Sequence, residues 1–201
     1  MKEFNNLIET EEDPIKIFNN WFEEAKVKEI NDPNAMNLAT ISKDHKPTSR
    51  MVLLKSFNEQ GFVFYTNLNS KKGKSINLNP NVALNFHWKS LFKQIRIEGK
   101  AMQISDSEAD TYFESRDTES KIGSWSSIQS SELKDREELK NKFENYSEKF
   151  KNQNVPRPAF WTGFRVNPIL IEFWKQLSFR LHDRVEYKKI DGSWIKRKLY
   201  P

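Results

Sequence analysis

Near the start of the chain, apolar side chains recur every three or four residues, which is the spacing of one helix face. Asp13 precedes this stripe as a candidate N-cap, and Pro14 suits the first helical position. The pattern predicts a helix over about residues 13–28 whose role is packing. The stripe consists of Ile15, Phe18, Phe22 and Ala25.

From residue 36 onward, the pattern changes to short β-rich runs separated by polar loops. The loops at residues 43–47 and 58–61 are too short for a parallel crossover, so we expect antiparallel neighbours. Asp191 and Gly192 are typical of a tight hairpin turn. The predicted strands are residues 36–42, 48–57, 62–66, 82–88, 94–104, 160–166, 169–175, 184–190 and 194–199.

Helical patterns occur at three further places. Residues 70–78 predict a short helix that ends before Pro80. Ser105 and Glu108 have the spacing of a capping box, which predicts a helix that continues to about residue 116. The last predicted helix carries a stripe of Leu139, Phe143, Tyr146 and Phe150.

Six or more antiparallel strands with a few helices indicate a β-barrel with helices packed outside it. We therefore expect a mainly β, α+β fold in which residues 1–201 form a single domain. A chain of this length buries roughly 70% of its unfolded surface. Its 15 Phe and 6 Trp concentrate enough apolar area for a core.

Composition narrows the class of protein. Cysteine is absent, which excludes disulfides, thiolate metal sites and cysteine nucleophiles. Residues 1–12 are acidic and lack the apolar segment of a signal peptide. No apolar run approaches the roughly 20 residues of a membrane-spanning helix. We expect a soluble cytoplasmic protein without a membrane partner.

The formal charge of +5 and the pI of about 9.2 admit nucleic-acid binding. The lysines are scattered among acidic residues, however, so the charge equally suits phosphorylated small molecules. We therefore expect no nucleic-acid partner. The three histidines, His45, His87 and His182, lie far apart in the sequence, and no metal site is expected.

Two basic pairs are candidate anion sites. Arg50 and Lys55 bracket an apolar run and fall on opposite faces of a regular strand, so only an irregularity would bring them to one ligand. Lys71 and Lys72 begin a predicted helix, where free N–H groups and the helix dipole attract anions. For both pairs, ordinary solvated charge is an equal alternative.

A third basic group follows Phe173-Trp174. Strand alternation would place Arg180, His182 and Arg184 on one face. The positive charges of these groups repel one another unless they are neutralised. Either a bound anion or nearby carboxylates such as Asp183 and Glu186 could neutralise them. The group indicates a site for an anionic ligand.

Further motifs accompany these groups along the chain. In order, the motifs are Arg50-Met51-Val52-Leu53-Leu54-Lys55, Phe64-Tyr65-Thr66-Asn67, Gln94, Tyr112-Phe113 with Arg116 and Ser120, Ile122-Gly123-Ser124-Trp125, Gln129-Ser130, and Phe173-Trp174 with Arg180-Leu181-His182-Asp183-Arg184. In this order and spacing they resemble the pyridoxine 5′-phosphate oxidase family, from about residue 14 to the C-terminus. One fragment would be weak, whereas the ordered set is highly specific.

The resemblance implies an FMN-binding split β-barrel that acts as a homodimer, with two FMN sites at the subunit interface. Residues from both chains could then converge on one ligand. The positions that match FMN-binding residues are Arg50, Met51, Val52, Leu53, Leu54, Lys55, Tyr65, Thr66, Lys71, Lys72, Gln94, Gln129, Ser130, Trp174 and Arg184.

The implied activity is oxidation of pyridoxamine 5′-phosphate or pyridoxine 5′-phosphate to pyridoxal 5′-phosphate, with O₂ reduced to H₂O₂. Arg180 and His182 match the catalytic pair at the reacting face of the pyridine ring, and Leu181 between them joins the substrate contacts. The positions that match residues holding the substrate phosphate are Lys55, Tyr112, Arg116 and Ser120.

Two alternatives stay open. Another split-barrel FMN oxidoreductase would need neither the Arg180 and His182 pair nor the phosphate-binding set. The second alternative is a non-catalytic protein that binds vitamer phosphates, FMN or nucleic acid. A flavin absorption spectrum would distinguish the proposed flavoprotein from a nucleic-acid-binding protein.

The chain also departs from the family in two places. Lys71 stands where the family usually has arginine, so a side chain that binds phosphate with two hydrogen bonds is replaced by a single point charge. Residues 176–179 are bulkier than the glycine-containing loop expected there.

Overall fold

The computed structural model describes residues 7–8 and 11–201. Within that part of the chain, nine strands form one antiparallel sheet. The strands are β1 Ala35–Ile41, β2 Pro47–Leu53, β3 Ser56–Asn58, β4 Gly61–Asn67, β5 Asn81–Trp88, β6 Lys93–Gln103, β7 Trp161–Lys175, β8 Asp183–Ile190 and β9 Ser193–Lys198. The helices are α1 Pro14–Lys28, α2 Lys71–Leu78, α3 Asp106–Glu114, α4 Thr118–Ser126 and α5 Arg136–Lys149.

The sheet has the order β2-β1-β5-β6-β7-β4-β3, with β8 paired to β7 and β9 paired to β8. It curls into a half-barrel with the helices outside, so the predicted mainly β, α+β class with an antiparallel split barrel is confirmed. Asp191 and Gly192 form the predicted hairpin turn, with φ angles of 49° and 83°.

Helix α1 packs its apolar face against the core residues of the sheet. The Asp13 side chain caps it by accepting a hydrogen bond from the Ile15 N–H at 2.9 Å, as the sequence predicts. Phe18 is fully buried, and its ring lies 4.8 Å from that of Phe62 and 5.2 Å from that of Phe86. Edge-to-face rings of this kind bury large apolar areas, so α1 anchors the core.

The sequence predicts one strand over residues 48–57, but the structure divides it. Strand β2 ends at Leu53 and β3 begins at Ser56. Between them, the Leu54 N–H donates to the Asn34 carbonyl and the Lys55 N–H donates to the Val63 carbonyl. The chain therefore leaves β1 and joins β4 at Lys55, which supplies the irregularity that Arg50 and Lys55 require.

Strand β7 is a single strand where the sequence predicts two. Along one edge it pairs with β6, and along the other with β4 up to Val166 and with β8 from Leu170. Pro168 lacks an N–H, and it lies where the partner on this second edge changes from β4 to β8. The register with β6 shifts between Glu98 and Gly99, opposite this point.

The sequence analysis missed helix α4. Its residues are mostly polar, and its buried face consists of Lys121, Ile122 and Ser126. The Asp117 side chain caps it by accepting a hydrogen bond from the Ser120 N–H at 2.7 Å. The other three helices beyond α1 lie close to the predicted ranges, although α3 ends at Glu114 rather than near residue 116.

Gly99→Ala is expected to lower the free energy of unfolding by about 1–3 kcal/mol, because overpacking carries that cost. The new Cβ would lie 2.3 Å from the Asn167 carbonyl oxygen on the neighbouring strand. Urea unfolding measures the change. Gly123→Ala is the matched control, since nothing lies within 4 Å of its Cβ position. Equal stability of Gly99→Ala and the wild type would contradict the close approach.

Candidate functional site

A cavity of about 880 Å³ opens between the ends of β2 and β4 and helices α2, α3 and α4. It combines cationic side chains, hydroxyls, an amide and aromatic rings. A volume of this size suits a ligand as large as a cofactor. The lining residues are Met51, Val52, Leu53, Lys55, Tyr65, Thr66, Asn67, Lys72, Tyr112, Ser115, Arg116, Asp117, Ser120, Gly123, Ser124, Ser127, Gln129 and Trp161.

The structure divides the sequence-predicted site residues into two groups. One group lines the cavity and includes all four positions expected to hold a substrate phosphate. The group in the cavity is Met51, Val52, Leu53, Lys55, Tyr65, Thr66, Lys72, Tyr112, Arg116, Ser120 and Gln129. The residues outside its lining are Arg50, Leu54, Lys71, Gln94, Ser130, Trp174, Arg180, Leu181, His182 and Arg184.

Stacked aromatic rings form one wall of the cavity. The rings of Tyr65 and Tyr112 are 3.9 Å apart and nearly parallel, and Trp161 stacks 5.1 Å from Tyr65. Gly163 faces Tyr65 across the β4–β7 ladder, and a Cβ there would lie 2.9 Å from the Tyr65 ring. Burial, with smaller contributions from Glu108 and Tyr112, raises the pKa of Tyr65 to about 12.

Arg116 lies on this wall just beyond the end of α3. Its guanidinium carbon is 5.0 Å from the centre of the Trp161 ring and 5.4 Å from that of Phe113. Its Nη1 donates to the Ser124 Oγ at 2.7 Å. Burial of the guanidinium lowers the pKa of Arg116, although the group stays charged.

Lysines complete the positive charge of the cavity. Lys72 donates to the Gln129 Oε1 at 3.0 Å, and the Thr66 hydroxyl donates to the same oxygen at 3.4 Å. Burial, followed by the charge of Arg50, lowers the pKa of Lys72. The Lys55 Nζ lies 6.0 Å from the centre of the Tyr112 ring.

These cations have no carboxylate partner of their own. Across residues 7–8 and 11–201, neither Lys55, Lys72 nor Arg116 forms an ion pair within 4.0 Å. Asp117 lines the cavity, but its carboxylate caps α4, and hydrogen bonds from Ser120 lower its pKa. The cavity therefore attracts anions, and phosphate in particular, because several charge-assisted donors converge on it.

Four predicted residues lie outside the lining but are sequence neighbours of residues within it. Arg50 is half-buried and donates to the Leu38 carbonyl and to the hydroxyls of Thr40 and Thr48, and burial lowers its pKa. The side chain of Leu54 is buried in the core. The other two, Lys71 at the start of α2 and Ser130 beside Gln129, are exposed.

The remaining predicted residues form a second group around the far end of β7. Gln94, Trp174 and Arg184 are consecutive ladder partners on β6, β7 and β8. The His182 ring lies 4.6 Å from that of Trp174, and its Nδ1 accepts a hydrogen bond from the Leu177 N–H at 3.2 Å. Arg180 and Leu181 are exposed.

The prediction that Arg180, His182 and Arg184 share one strand face is wrong. Strand β8 begins at Asp183, and Ser178–Arg180 forms a 3₁₀ turn. Within this turn, Phe179 and Arg180 have φ angles of 58° and 62°. Arg184 is instead ion-paired to the buried Glu172 at 2.7 Å, which raises the pKa of Arg184.

Sequence reasoning did not identify several lining residues as part of the site. Asn67, Gly123 and Ser124 belong to the quoted motifs, so their proximity to predicted residues was a usable signal. Trp161 had no such signal, because it lies more than forty residues from Tyr112 and reaches it only through the β4–β7 pairing. Ser115, Asp117 and Ser127 follow or flank short helices.

The described part of the chain holds no group of three or more His, Asp or Glu side chains placed to bind a metal ion. None of its helices is long and apolar enough to cross a bilayer. The donors of the cavity are cations, hydroxyls and amides, which suit anionic ligands instead.

Two protein-family models match the chain. The model described as pyridoxamine 5′-phosphate oxidase matches residues 22–150. The model of the pyridoxine 5′-phosphate oxidase C-terminal dimerisation region matches residues 161–201. The first matched range includes every lining residue of the cavity except Trp161. The second matched range includes most of the predicted residues grouped around Trp174.

Curated relatives agree with these models. The pyridoxine/pyridoxamine 5′-phosphate oxidase of Caulobacter vibrioides is 49% identical over 192 residues, which cover 96% of this chain and 86% of the relative. The enzyme of the same name from Pelagibacter ubique is 49% identical over 191 residues, which cover 94% and 92%.

Solved structures share the fold. PhzG from Burkholderia lata, in complex with tetrahydrophenazine-1-carboxylic acid, has a TM-score of 0.90 and 29% identity, and the match covers 100% of this chain and 97% of that one. A pyridoxamine 5′-phosphate oxidase-related, FMN-binding protein from Nostoc punctiforme has a TM-score of 0.75 at 13% identity, with 96% and 100% covered. The second likeness concerns the fold alone.

The buried phenol of Tyr65 is expected to ionise late, at a pH of about 12. Because this folded-state pKa lies above the ordinary value of 10.0, the unfolded chain loses the proton first. The free energy of unfolding therefore falls as the pH rises from about 10 to about 12. Tyr65→Phe should reduce this slope and roughly halve the late phenolate step in an ultraviolet titration, since the pKa of Tyr187 is also raised to about 12.

Tyr187→Phe is the companion variant, because it removes the other phenol whose pKa is raised to about 12 and should also roughly halve the late step. A late step of full amplitude in Tyr65→Phe would contradict the burial of the Tyr65 hydroxyl.

Proposed function

Because this chain belongs to the pyridoxine/pyridoxamine 5′-phosphate oxidase family, we propose that it is an FMN-dependent oxidase that makes pyridoxal 5′-phosphate in the cytoplasm. Its substrates are pyridoxamine 5′-phosphate and pyridoxine 5′-phosphate, and O₂ is the electron acceptor. Both substrates carry a phosphate on a flat pyridine ring, so the site must supply cations and an aromatic or apolar surface.

One observation carries this proposal. The half-buried Arg116, Lys55 and the hydroxyl-bearing Tyr112 and Ser120 line one cavity, and neither cation has a carboxylate partner among the described residues. A phosphate dianion supplies the missing negative charge and accepts several hydrogen bonds at once. A protein that bound an uncharged ligand would have no need of a half-buried arginine without a carboxylate partner at this place.

The residues at the other end of the cavity fit the FMN phosphate and ring. Lys72 and the Gln129 amide lie beside the start of α2, where the helix dipole favours an anion. Arg50 contributes positive charge close to Lys72, whose pKa it lowers. In this proposal, Lys72, Arg50 and the exposed Lys71 hold the FMN phosphate, while Thr66 and Gln129 contact polar ring atoms.

A second copy of the chain completes the site. Trp161 lines the cavity and Trp174 belongs to the second group, and the extended chain of β7 between them spans roughly 40 Å if straight. This length of strand favours an arrangement in which the two groups meet across two chains. In the homodimer, Gln94, Trp174, Arg180, His182 and Arg184 of one protomer would cover the cavity of its partner.

Exposed apolar residues support this assembly. Met51 is 60% exposed at the cavity, and Leu181 is 48% exposed beside Arg180. Apolar side chains left in water next to polar ligand groups are typical of surfaces that another chain covers. The match of residues 161–201 to a dimerisation region agrees with the same surface.

When bound, FMN would supply the two-electron redox chemistry that links oxidation of the substrate carbon to reduction of O₂ to H₂O₂. The balance for the alcohol is pyridoxine 5′-phosphate plus O₂ giving pyridoxal 5′-phosphate plus H₂O₂. The amine additionally consumes water and releases ammonia. The protein therefore has to orient the substrate and exclude competing reactions.

The chain's own residues provide this orientation in the proposal. Arg116, Lys55, Tyr112 and Ser120 hold the phosphate, which fixes one end of the substrate. Arg180 would lie against one face of the pyridine ring. The His182 Nδ1 accepts the Leu177 N–H, so Nε2 is the ring nitrogen left to donate to the substrate.

The first test is aerobic conversion of pyridoxine 5′-phosphate by the flavin-loaded protein, with pyridoxal 5′-phosphate and H₂O₂ expected in equal amounts. Unphosphorylated pyridoxine should show a kcat/KM lower by about 100-fold or more, since two or more charge-assisted hydrogen bonds are lost. Arg116→Ala should cause a similar loss with the phosphorylated substrate, whereas Arg136→Ala, an exposed arginine on α5, should not.

Bound FMN without any pyridoxal 5′-phosphate would contradict the proposal. It would favour another FMN oxidoreductase of the same fold.

Sharing of each site between two chains predicts complementation. Arg180→Ala alone should lose turnover by about 100-fold or more while FMN stays bound, and Arg116→Ala alone should also be inactive. Co-expression of the two variants should restore about a quarter of the wild-type activity, because half of the dimers are mixed and each has one intact site. No recovery in isolated mixed dimers would show that each site belongs to one chain.

A further inference from the structure

The Arg116 side chain has an unusual set of neighbours for a half-buried cation. Among residues 7–8 and 11–201, its guanidinium makes one side-chain hydrogen bond, from Nη1 to the Ser124 Oγ at 2.7 Å. The Ser124 hydroxyl in turn donates to the Ser120 carbonyl, one turn earlier in α4, at 3.0 Å. Ser124 therefore links the guanidinium to the backbone of α4.

The number of donors and acceptors on a serine hydroxyl determines which of its two bonds it donates and which it accepts. A hydroxyl has one proton and two lone pairs, and the Ser120 carbonyl, which cannot donate, requires the proton. The lone pairs are then left for Arg116, which can only donate. The guanidinium carbon lies 5.0 Å from the centre of the Trp161 ring and 5.4 Å from that of Phe113. The bond to Ser124 fixes the direction of one of its N–H groups beside these rings.

The neutrality of Ser124 matters as much as its position. A carboxylate at this place would orient the guanidinium more strongly, but it would also neutralise the charge that attracts phosphate. A hydroxyl orients the arginine and leaves its charge intact. The remaining N–H groups of Arg116 stay free to face the cavity, which Arg116 and Ser124 both line.

We propose that Ser124 is a positioning residue that orients Arg116 for the phosphate of the substrate without neutralising it. This inference rests on the proposed function only in that Arg116 binds a substrate phosphate. It concerns a residue that acts through another, so its effect must appear in phosphate binding and must depend on Arg116.

Three variants at position 124 separate orientation from charge. Ser124→Ala removes the acceptor and should weaken phosphate binding about 3- to 10-fold, the range expected for one hydrogen bond. Ser124→Thr keeps a hydroxyl that can bond the carbonyl one turn earlier, and should remain within about twofold of the wild type. Ser124→Asp introduces a carboxylate beside Arg116 and should weaken binding more than Ser124→Ala does, by well over about tenfold.

Ser126→Ala is the matched control. Ser126 lies on the same helix, and its hydroxyl makes the same type of bond to the Ile122 carbonyl at 2.9 Å, but it does not contact Arg116. Its loss should leave phosphate affinity unchanged. Alanine suits a helix interior better than serine, so neither alanine variant should prevent folding.

The measurement is the dissociation constant of pyridoxal 5′-phosphate and of inorganic phosphate for the flavin-loaded protein, by calorimetry. This readout needs no turnover, so it tests Ser124 even if the oxidase assay fails. In the oxidase assay, the Ser124→Ala effect should lie mainly in KM, because binding to substrate and transition state is lost equally. In an Arg116→Ala background, Ser124→Ala should have no further effect.

The proposal would be overturned if Ser124→Ala bound phosphate as tightly as the wild type, or if Ser124→Thr bound it as weakly as Ser124→Ala. It would also be overturned if Ser124→Asp and Ser124→Ala lost the same affinity, or if Ser124→Ala weakened binding equally in the Arg116→Ala background. A loss of affinity in the Ser126→Ala control as large as that in Ser124→Ala would also overturn it, since it would trace the effect to α4 stability.

Discussion

The pairing of strand β7 governs how the rest of the molecule is arranged. One edge pairs with β6 throughout, while the other pairs with β4 over its first half and β8 over its second. Pro168 and the shifted register at Gly99 allow this exchange of partners. Because of this exchange, Trp161 lies in the cavity wall, whereas Trp174 lies in the second group of predicted ligand residues. The two groups therefore lie near opposite ends of the same strand.

The cations of the molecule fall into two kinds according to their partners. Arg157 is paired with Asp110 and Asp106, and also donates to the Trp161 carbonyl at 2.7 Å. It ties α3 to the start of β7, and its pairing with Asp110 raises its pKa. By contrast, Arg116 and Lys72 in the cavity hydrogen-bond to neutral acceptors, on Ser124 and Gln129, and neither has an ion pair among residues 7–8 and 11–201.

The contrast follows from what each charge does. A cation that joins two elements is best neutralised within the protein, because an unpaired buried charge costs free energy. A cation meant for an anionic ligand must stay unneutralised until the ligand arrives, so neutral groups orient it. Arg184 is an exception among the expected FMN-binding residues, since both Arg184 and Arg96 bond the buried Glu172.

Local patterns in the sequence were sufficient for most of the elements. Alternation predicted the antiparallel strands, and the Asp13 cap, the Ser105 cap and the Asp191-Gly192 turn lie where their residue types predict. Such features depend on a few neighbouring residues. Helix α4 and the continuity of β7 were missed, because tertiary pairing stabilises both against a polar or proline-containing sequence.

The sequence by itself determined the fold class, the family resemblance and the residue types available for a phosphate, since these depend on order and spacing along the chain. Only the tertiary structure decided which of them meet. It brought Lys55, Tyr112, Arg116 and Ser120 into one cavity, added Trp161 and Ser124, and removed Arg180 and His182 from the strand that alternation predicted. The physical reason is that contacts between distant residues are set by strand pairing and register, which no local pattern specifies.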